Sequence, residues 1–353
     1  MPKWIIALGL LVFIFVSAPA AEVEEEHAAT HHEEEFNPGT MIVDHVVDAH
    51  EWHILTWGHT HVSVPLPVIL YHDGNLDVFL SSKFHHGHET YHGYKLELEG
   101  ENKGKIVVEA TGEKPLDFSI TKNVFAMFIS MILISIIFIS IGKRYSKRKN
   151  EAPKGLQSLL EPLIIFIRDD VAKASIGEKK YEKYLPFLLT LFFFIFFNNL
   201  LGLIPIFPGG ANLTGNIAIT GVMAVFTFII TTVSGNKNYW VHIVNTPGVP
   251  WWLKIPVPLM PIVELMGVFT KPFVLMVRLF ANITAGHIIV LGFMSLIFIF
   301  GNMQPAIGYG VSVVSIAFAV FMSLLELLVA FIQAYVFTLL SALYFGMATE
   351  EHH

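Results

Sequence analysis

The sequence contains no cysteine, which removes disulfides and thiolate metal sites from consideration. Charge is nearly as scarce. Asp, Glu, Lys and Arg make up 14% of the 353 residues, where a soluble domain carries about 25%. Apolar residues take their place: 54% of the chain is hydrophobic and the mean hydropathy is +0.59. A net charge of −7 argues against a nucleic-acid partner. No Gly-rich phosphate loop is present, so nucleotide hydrolysis by this chain is excluded. What remains is an integral membrane protein with one small extramembrane part.

The N-terminus reads as Met1-Pro-Lys3, an apolar run from Trp4 to Val16, then Ser17-Ala-Pro-Ala20. A basic start, a short apolar run and small residues at the end describe a secretory signal peptide over residues 1–20. A first membrane span is the alternative, but the run is short for one and an acidic stretch follows directly. Residues 21–119 form a second region. It begins with a Glu/His/Ala-rich tail expected to be disordered. The helical spacing of Ile42, Val46, Ala49 and Trp52 predicts an amphipathic helix over Met41–Trp57. Alternating runs then predict strands at Val62–Leu70, Leu76–Leu80, Tyr94–Leu98 and Ile106–Glu109. This region is a small β-rich extracytoplasmic module.

Thirteen of the 17 histidines fall between His27 and His92. His88-Glu89-Thr-Tyr-His92 matches the zinc-protease pattern, but that pattern functions only on a helix. Gly87 and Gly93 bracket it among strand-like runs, so a solvated polar loop is the expected reading.

Residues 120–353 are the membrane part. Val124–Ile141 is long enough to span, and it ends in the basic cluster Lys143-Arg144-Tyr-Ser-Lys147-Arg148-Lys149, which the positive-inside rule places in the cytoplasm. Glu161–Lys183 reads as one amphipathic interfacial helix. Leu185–Ile204 and Ile217–Val233 are further spans, and the Trp/Pro-rich segment from Asn236 to Pro258 is an interfacial connector. Two apolar stretches follow, Leu259–Phe300 and Ala306–Met347, each far longer than a ~30 Å bilayer core at ~1.5 Å per residue. They must tilt or bend, and Lys271-Pro272 predicts a break in the first. The expected fold is an all-α polytopic membrane protein of about 5–6 membrane helices with the β-rich module in front.

Between Pro272 and Thr349 only Arg278 and Glu326 carry formal charge, and His287 is the one other group titrating near neutrality. Arginine at mid-bilayer depth costs at least ~2.5 kcal/mol, and an intramembrane ionisable residue is a functional candidate by default. Arg278 and Asn282 are four apart and share a helix face, as do Glu326 and Gln333, seven apart. His287 is about half a turn out of phase with Arg278. Arginine has no acceptor and does not release its proton, so it can fix a carboxylate but not relay. A His/Glu pair can exchange protons near neutral pH. The set reads as a cationic barrier flanked by relays; it lacks a carboxylate for the arginine to face and so needs a partner subunit.

The stretch Lys271-Pro-Phe-Val-Leu-Met-Val-Arg278-Leu-Phe-Ala-Asn282-Ile-Thr-Ala-Gly-His287 resembles the signature of subunit a of F-type ATP synthases. Gln333-Ala-Tyr-Val-Phe337 and Met347-Ala-Thr-Glu-Glu-His352 resemble that family's last helix and tail, and Asn199-Leu-Leu-Gly202-Leu-Ile-Pro205 resembles its second span. The resemblance covers residues 120–353. It implies a stator subunit that passes protons through two offset half-channels to and from a c-ring, in a bacterial inner membrane. The implied partners are that c-ring, the b-subunit stalk and, through the complex, the F1 sector. It implies that Arg278 faces the c-ring carboxylate, that Asn282 and Gln333 lie beside it, and that His287 and Glu326 serve the intake side. Glu264 and Tyr344 match exit-side positions. The His-before-Glu order is reversed from many bacterial relatives and resembles mitochondrial forms. Gly202 and Asn212 stand where some relatives carry Asp. No cofactor is implied, and the translocated ion is H⁺ or Na⁺.

Two other classes compete. An intramembrane hydrolase needs a metal motif or a nucleophile inside the bilayer, and none is evident. A proton-coupled secondary transporter also uses broken helices and buried charges, but inverted repeats are not apparent.

Overall fold

The structure, a computed structural model, describes residues 38–39, 42, 47–57, 60–98, 100, 102–147, 152–204, 209–244 and 259–350. The signal-peptide reading, most of the acidic tail and most of the Trp/Pro-rich connector fall outside these residues.

Among the described residues the N-terminal module contains seven strands. β1 (Glu51–Trp57) and β2 (Thr60–Pro65) form an antiparallel hairpin. β3 (Pro67–His72), β4 (Asn75–Leu80) and β7 (Leu116–Asp117) form a sheet in the order β4-β3-β7. β5 (Tyr94–Leu96) pairs with β6 (Ile106–Val108). The period-2 runs become strands, but the single run expected over Val62–Leu70 divides into β2 and β3, which belong to different sheets. The helix expected through Trp57 does not form, because Glu51–Trp57 pairs with β2. Its aromatic and β-branched side chains favour that pairing over a marginal helical face. Val68, Leu70, Phe84, Tyr94 and Ile106 form the module's own core.

The module is joined to the membrane part without slack. Asp48 accepts from the Asn123 amide at 3.0 Å and from the Thr121 hydroxyl at 2.8 Å, capping the first membrane helix as N-terminal acids do. Trp52 meets Phe125 edge-on at 6.0 Å, and both pack around Ala126 and Ala211.

Among the described residues seven helices follow: α1 (Lys122–Lys147), α2 (Leu156–Phe166), α3 (Tyr181–Leu203), α4 (Ile217–Ser234), α5 (Lys237–Val244), α6 (Leu259–Met303) and α7 (Pro305–Thr349). Five of them, α1, α3, α4, α6 and α7, are long and apolar enough to cross a membrane. The protein is a polytopic membrane protein. Glu161–Lys183 is not one helix. α2 continues through a π-helical stretch to Ile176 and stops at Gly177, which adopts φ 90°, before α3 starts at Tyr181. Only glycine takes that conformation without strain.

The break expected at Lys271-Pro272 is also absent, since α6 runs unbroken through Pro272. Proline removes one backbone hydrogen bond, but in hydrocarbon unravelling would leave many more groups unpaired. α6 and α7 have 45 residues each, so at ~1.5 Å per residue they cross a ~30 Å core obliquely. α7 packs along α6 and crosses α3. Lipid offers no hydrophobic drive for helix association, so close approach through small side chains matters. Ala330, Ala334, Ser341 and Ala342 of α7 are buried. A side chain at Gly346 would run into the Ser175 carbonyl.

Candidate functional site

α6 and α7 cross so that His287 and Glu326 face one another, with Nδ1 3.6 Å from Oε1. Their side chains keep 19% and 13% of their accessibility, which sets both in a nearly closed space. A β-carbon on Gly286 would overlap the Glu326 carboxylate. The carboxylate therefore lies flat against the α6 backbone, in room that only glycine leaves. On the other side of the imidazole, Nε2 approaches the Cα side of Gly202 in α3, where a β-carbon would stand 3.8 Å away. The histidine is thus held between α7 and α3.

A cavity of ~310 Å³ opens onto this pair, lined also by Asn199, Asn282 and Gln333. A space of ~30 Å³ suffices for one liquid water, so the cavity has room for several. Gln333 is buried and Asn282 exposed. The cavity wall is fixed by Asn199, whose amide donates to the Ala330 carbonyl at 3.2 Å and accepts from the Thr214 hydroxyl at 2.5 Å. Of the expected site residues, the cavity gathers Asn282, His287, Glu326 and Gln333.

Arg278 is not among its lining residues. It sits on an exposed face of α6 and, among the described residues, forms no hydrogen bond or ion pair. No bond joins it to Asn282 or Gln333. The half-turn offset from His287 is realised as two environments, one enclosed and one open.

Toward the start of α6, Tyr344 lies beneath Lys271, whose Nζ is 5.7 Å from the ring centre. Tyr344 is also within electrostatic reach of Arg278. Tyr344 and Lys271, with Thr227, Thr231, Tyr239 and Pro272, line a second, much smaller cavity of ~20 Å³. Glu264 lies outside its lining but close to Tyr239. Burial pushes the Tyr239 phenol up, and the Glu264 charge adds to that shift. Glu264 and His287 therefore belong to separate polar sites on one helix, with Arg278 between them in sequence.

Asn199, Gly286 and Lys271 were not singled out for these roles by sequence reasoning. The signal for Asn199 was available, since Asn198-Asn199 places two amides inside an apolar span. For Gly286 no such signal exists, because its demand arises only from a side chain on another helix.

In the module, His85 and Glu89 lie 3.6 Å apart, His86 and Glu51 2.9 Å, His92 and Asp77 3.5 Å, and His50 and Asp117 2.7 Å. His88–His92 is not helical, and His92 has a left-handed backbone, φ 54°. The geometry required by the zinc-protease pattern is therefore missing. Among the described residues no three His, Asp or Glu side chains converge as a metal site.

A profile of the family described as ATP synthase A chain matches residues 124–346. A second, described as a domain of unknown function (DUF8433), matches residues 41–124. The chain is 46% identical over 245 residues to ATP synthase subunit a of Chloroherpeton thalassium, covering 67% of this chain and 69% of the relative. It is 49% identical over 239 residues to ATP synthase subunit a 2 of Chlorobaculum tepidum, covering 66% and 64%. With ATP synthase subunit a of Myxococcus xanthus it shares 43% identity over 244 residues, covering 67% and 75%. These matches give no support to a secondary transporter. The chain belongs to the ATP synthase A chain family, whose members form the proton channel of the membrane sector.

Proposed function

We propose that His287 and Glu326 form the intake relay, that Arg278 is a fixed cation facing a carboxylate on the c-ring, and that Glu264 and Tyr344 line the exit. Asn282 and Gln333 furnish polar walls between relay and barrier. The observation that carries the reading is the contrast on α6: His287 is enclosed against Glu326 beside a cavity with room for water, while Arg278 stands exposed and, among the described residues, unpaired. An unpaired cation in hydrocarbon is costly, and a partner's carboxylate would offset that cost. Arg278 holds such a group ionised and blocks direct leakage of protons between the two half-channels. The chain alone conducts little, because the acidic site that crosses the barrier is not its own.

The assembly includes the c-ring, the b-subunit stalk and, through the complex, F1. The membrane is the bacterial inner membrane. Residues 1–20 are removed as a signal peptide, residues 21–119 lie in the periplasm, and residues 120–353 form the channel domain with a cytoplasmic C-terminus. The basic cluster after α1 supports this orientation.

Arg278→Ala tests the central assignment. In inverted membranes it abolishes ATP-driven proton pumping while subunit a remains in the complex. Pumping at the wild-type rate would sink the assignment.

A further inference from the structure

The channel reading makes no use of the outer face of the β4-β3-β7 sheet. Alternate residues of these strands point away from the module's core. Leu76, Val78 and Leu80 of β4, Tyr71 of β3, and Leu116 and Phe118 at β7 all do so. The register makes them neighbours: Tyr71 pairs with Leu76 on one side and with Leu116 on the other. Leu76, Val78, Leu116 and Phe118 are each 60–64% exposed. The opposite face of the same sheet is closed by Val68 and Leu70 against Phe84. An apolar outer face on a sheet whose inner face already has a core marks a contact with something else.

The attachment of the sheet indicates what that is. Only residues 118–121 separate β7 from α1, so Asp117 and Lys122 are at most ~17 Å apart. That short link is itself pinned to the module. The Phe118 amide donates to the Ile69 carbonyl at 2.9 Å, the Ile120 amide to Pro67 at 2.9 Å, and the Lys122 amide to Ala49 at 2.8 Å. The sheet cannot swing into bulk water. Ten residues beyond Phe118, Phe128 begins the exposed apolar face of α1, with Ile132 and Ile136 after it, as on a membrane span. The paired histidines and carboxylates of the module, His85, Glu89 and His92, are exposed away from that core. A surface with one apolar side, one ionic side and a span at its edge matches an interfacial element, which buries its apolar side ~5–10 Å into the headgroup–acyl boundary.

We propose that the outer face of the β4-β3-β7 sheet rests on lipid, in the leaflet from which α1 starts. The module is then a monotopic foot that fixes the tilt of α1 and the position of the loop at Ala211.

The absence of cysteine makes a direct test available. Single variants Val78→Cys and Leu116→Cys, nitroxide-labelled in the complete complex in liposomes, are compared with Ile132→Cys on α1 and Glu89→Cys on the ionic side. Collision with oxygen reports lipid, and collision with a water-soluble nickel chelate reports water. Labels at Val78 and Leu116 should follow Ile132, with an oxygen-to-nickel ratio several-fold above that at Glu89. A ratio equal to that at Glu89 places the face in water and overturns the proposal. Shielding from both probes shows that a protein segment covers it and overturns the proposal equally. None of these outcomes depends on how protons pass Arg278.

Discussion

His287 Nδ1 stands 3.6 Å from Glu326 Oε1 between α6 and α7, longer than a good hydrogen bond, beside a cavity of ~310 Å³. That spacing keeps the two groups in electrostatic contact, and it leaves Glu326 Oε1 buried without a hydrogen-bond partner among the described residues, so a small approach of the imidazole would complete the bond.

The first prediction concerns the pair as a unit. His287→Glu combined with Glu326→His should restore more ATP-driven proton pumping than either single change, because it returns one acid and one imidazole to the same two backbones. Pumping in inverted membranes, scaled to the amount of assembled complex, is the measurement. Equal loss in all three variants would mean that the two residues act separately.

Gly286→Ala should separate folding from conduction. Alanine favours the helix by about 1 kcal/mol relative to glycine, so α6 is not weakened. The new methyl instead displaces the Glu326 carboxylate, the mobile end of a flexible side chain. The expected result is normal assembly on native gels with proton pumping reduced several-fold. Unchanged pumping would show that Glu326 need not lie against α6.

Asn199→Leu should lower stability more than its size suggests. It leaves the Thr214 hydroxyl and the Ala330 carbonyl without their partner. Losing one partner of a buried bond costs about 1–3 kcal/mol. Thermal unfolding of the detergent-solubilised complex, followed by release of this subunit, should move to lower temperature. No change would mean that water in the cavity replaces the amide fully.

The link between module and α1 should be acid-sensitive. Burial alone would raise the Asp117 carboxyl, but hydrogen bonds from His50 and Ser119 outweigh it and hold the group below its ordinary 3.8. A lowered folded-state value favours folding above the unfolded value and loses that contribution as pH falls below about 3.8. Hydrogen exchange at residues 117–122 should speed up over that range in the wild type. In Asp117→Asn it should be faster at neutral pH and change little with acid. Parallel pH profiles would refute the role of the His50–Asp117 pair.

Much of this was legible in the sequence. The five spans follow from apolar length, the strands after Val62 from alternation, and Arg278, Asn282, His287, Glu326 and Gln333 from being polar where polarity is costly. Glu51–Trp57 was misread because helical spacing counts only its own side chains, while the strand depends on β2 opposite. Pro272 was misread because the rule for proline in water overstates breakage in lipid. Gly177, in contrast, ends a helix that looked continuous by charge pattern.

The sequence by itself determined that the chain is membrane-bound and which few ionisable groups its spans retain, because transfer into hydrocarbon selects residue types regardless of partner. The tertiary structure alone decided which of those groups meet. His287 touches Glu326 only because α6 and α7 approach closely at Gly286, and Arg278 stays unpaired because, among the described residues, no acidic side chain faces it. Distances of a few ångströms between helices are set by packing and crossing, and no pattern along one helix encodes them.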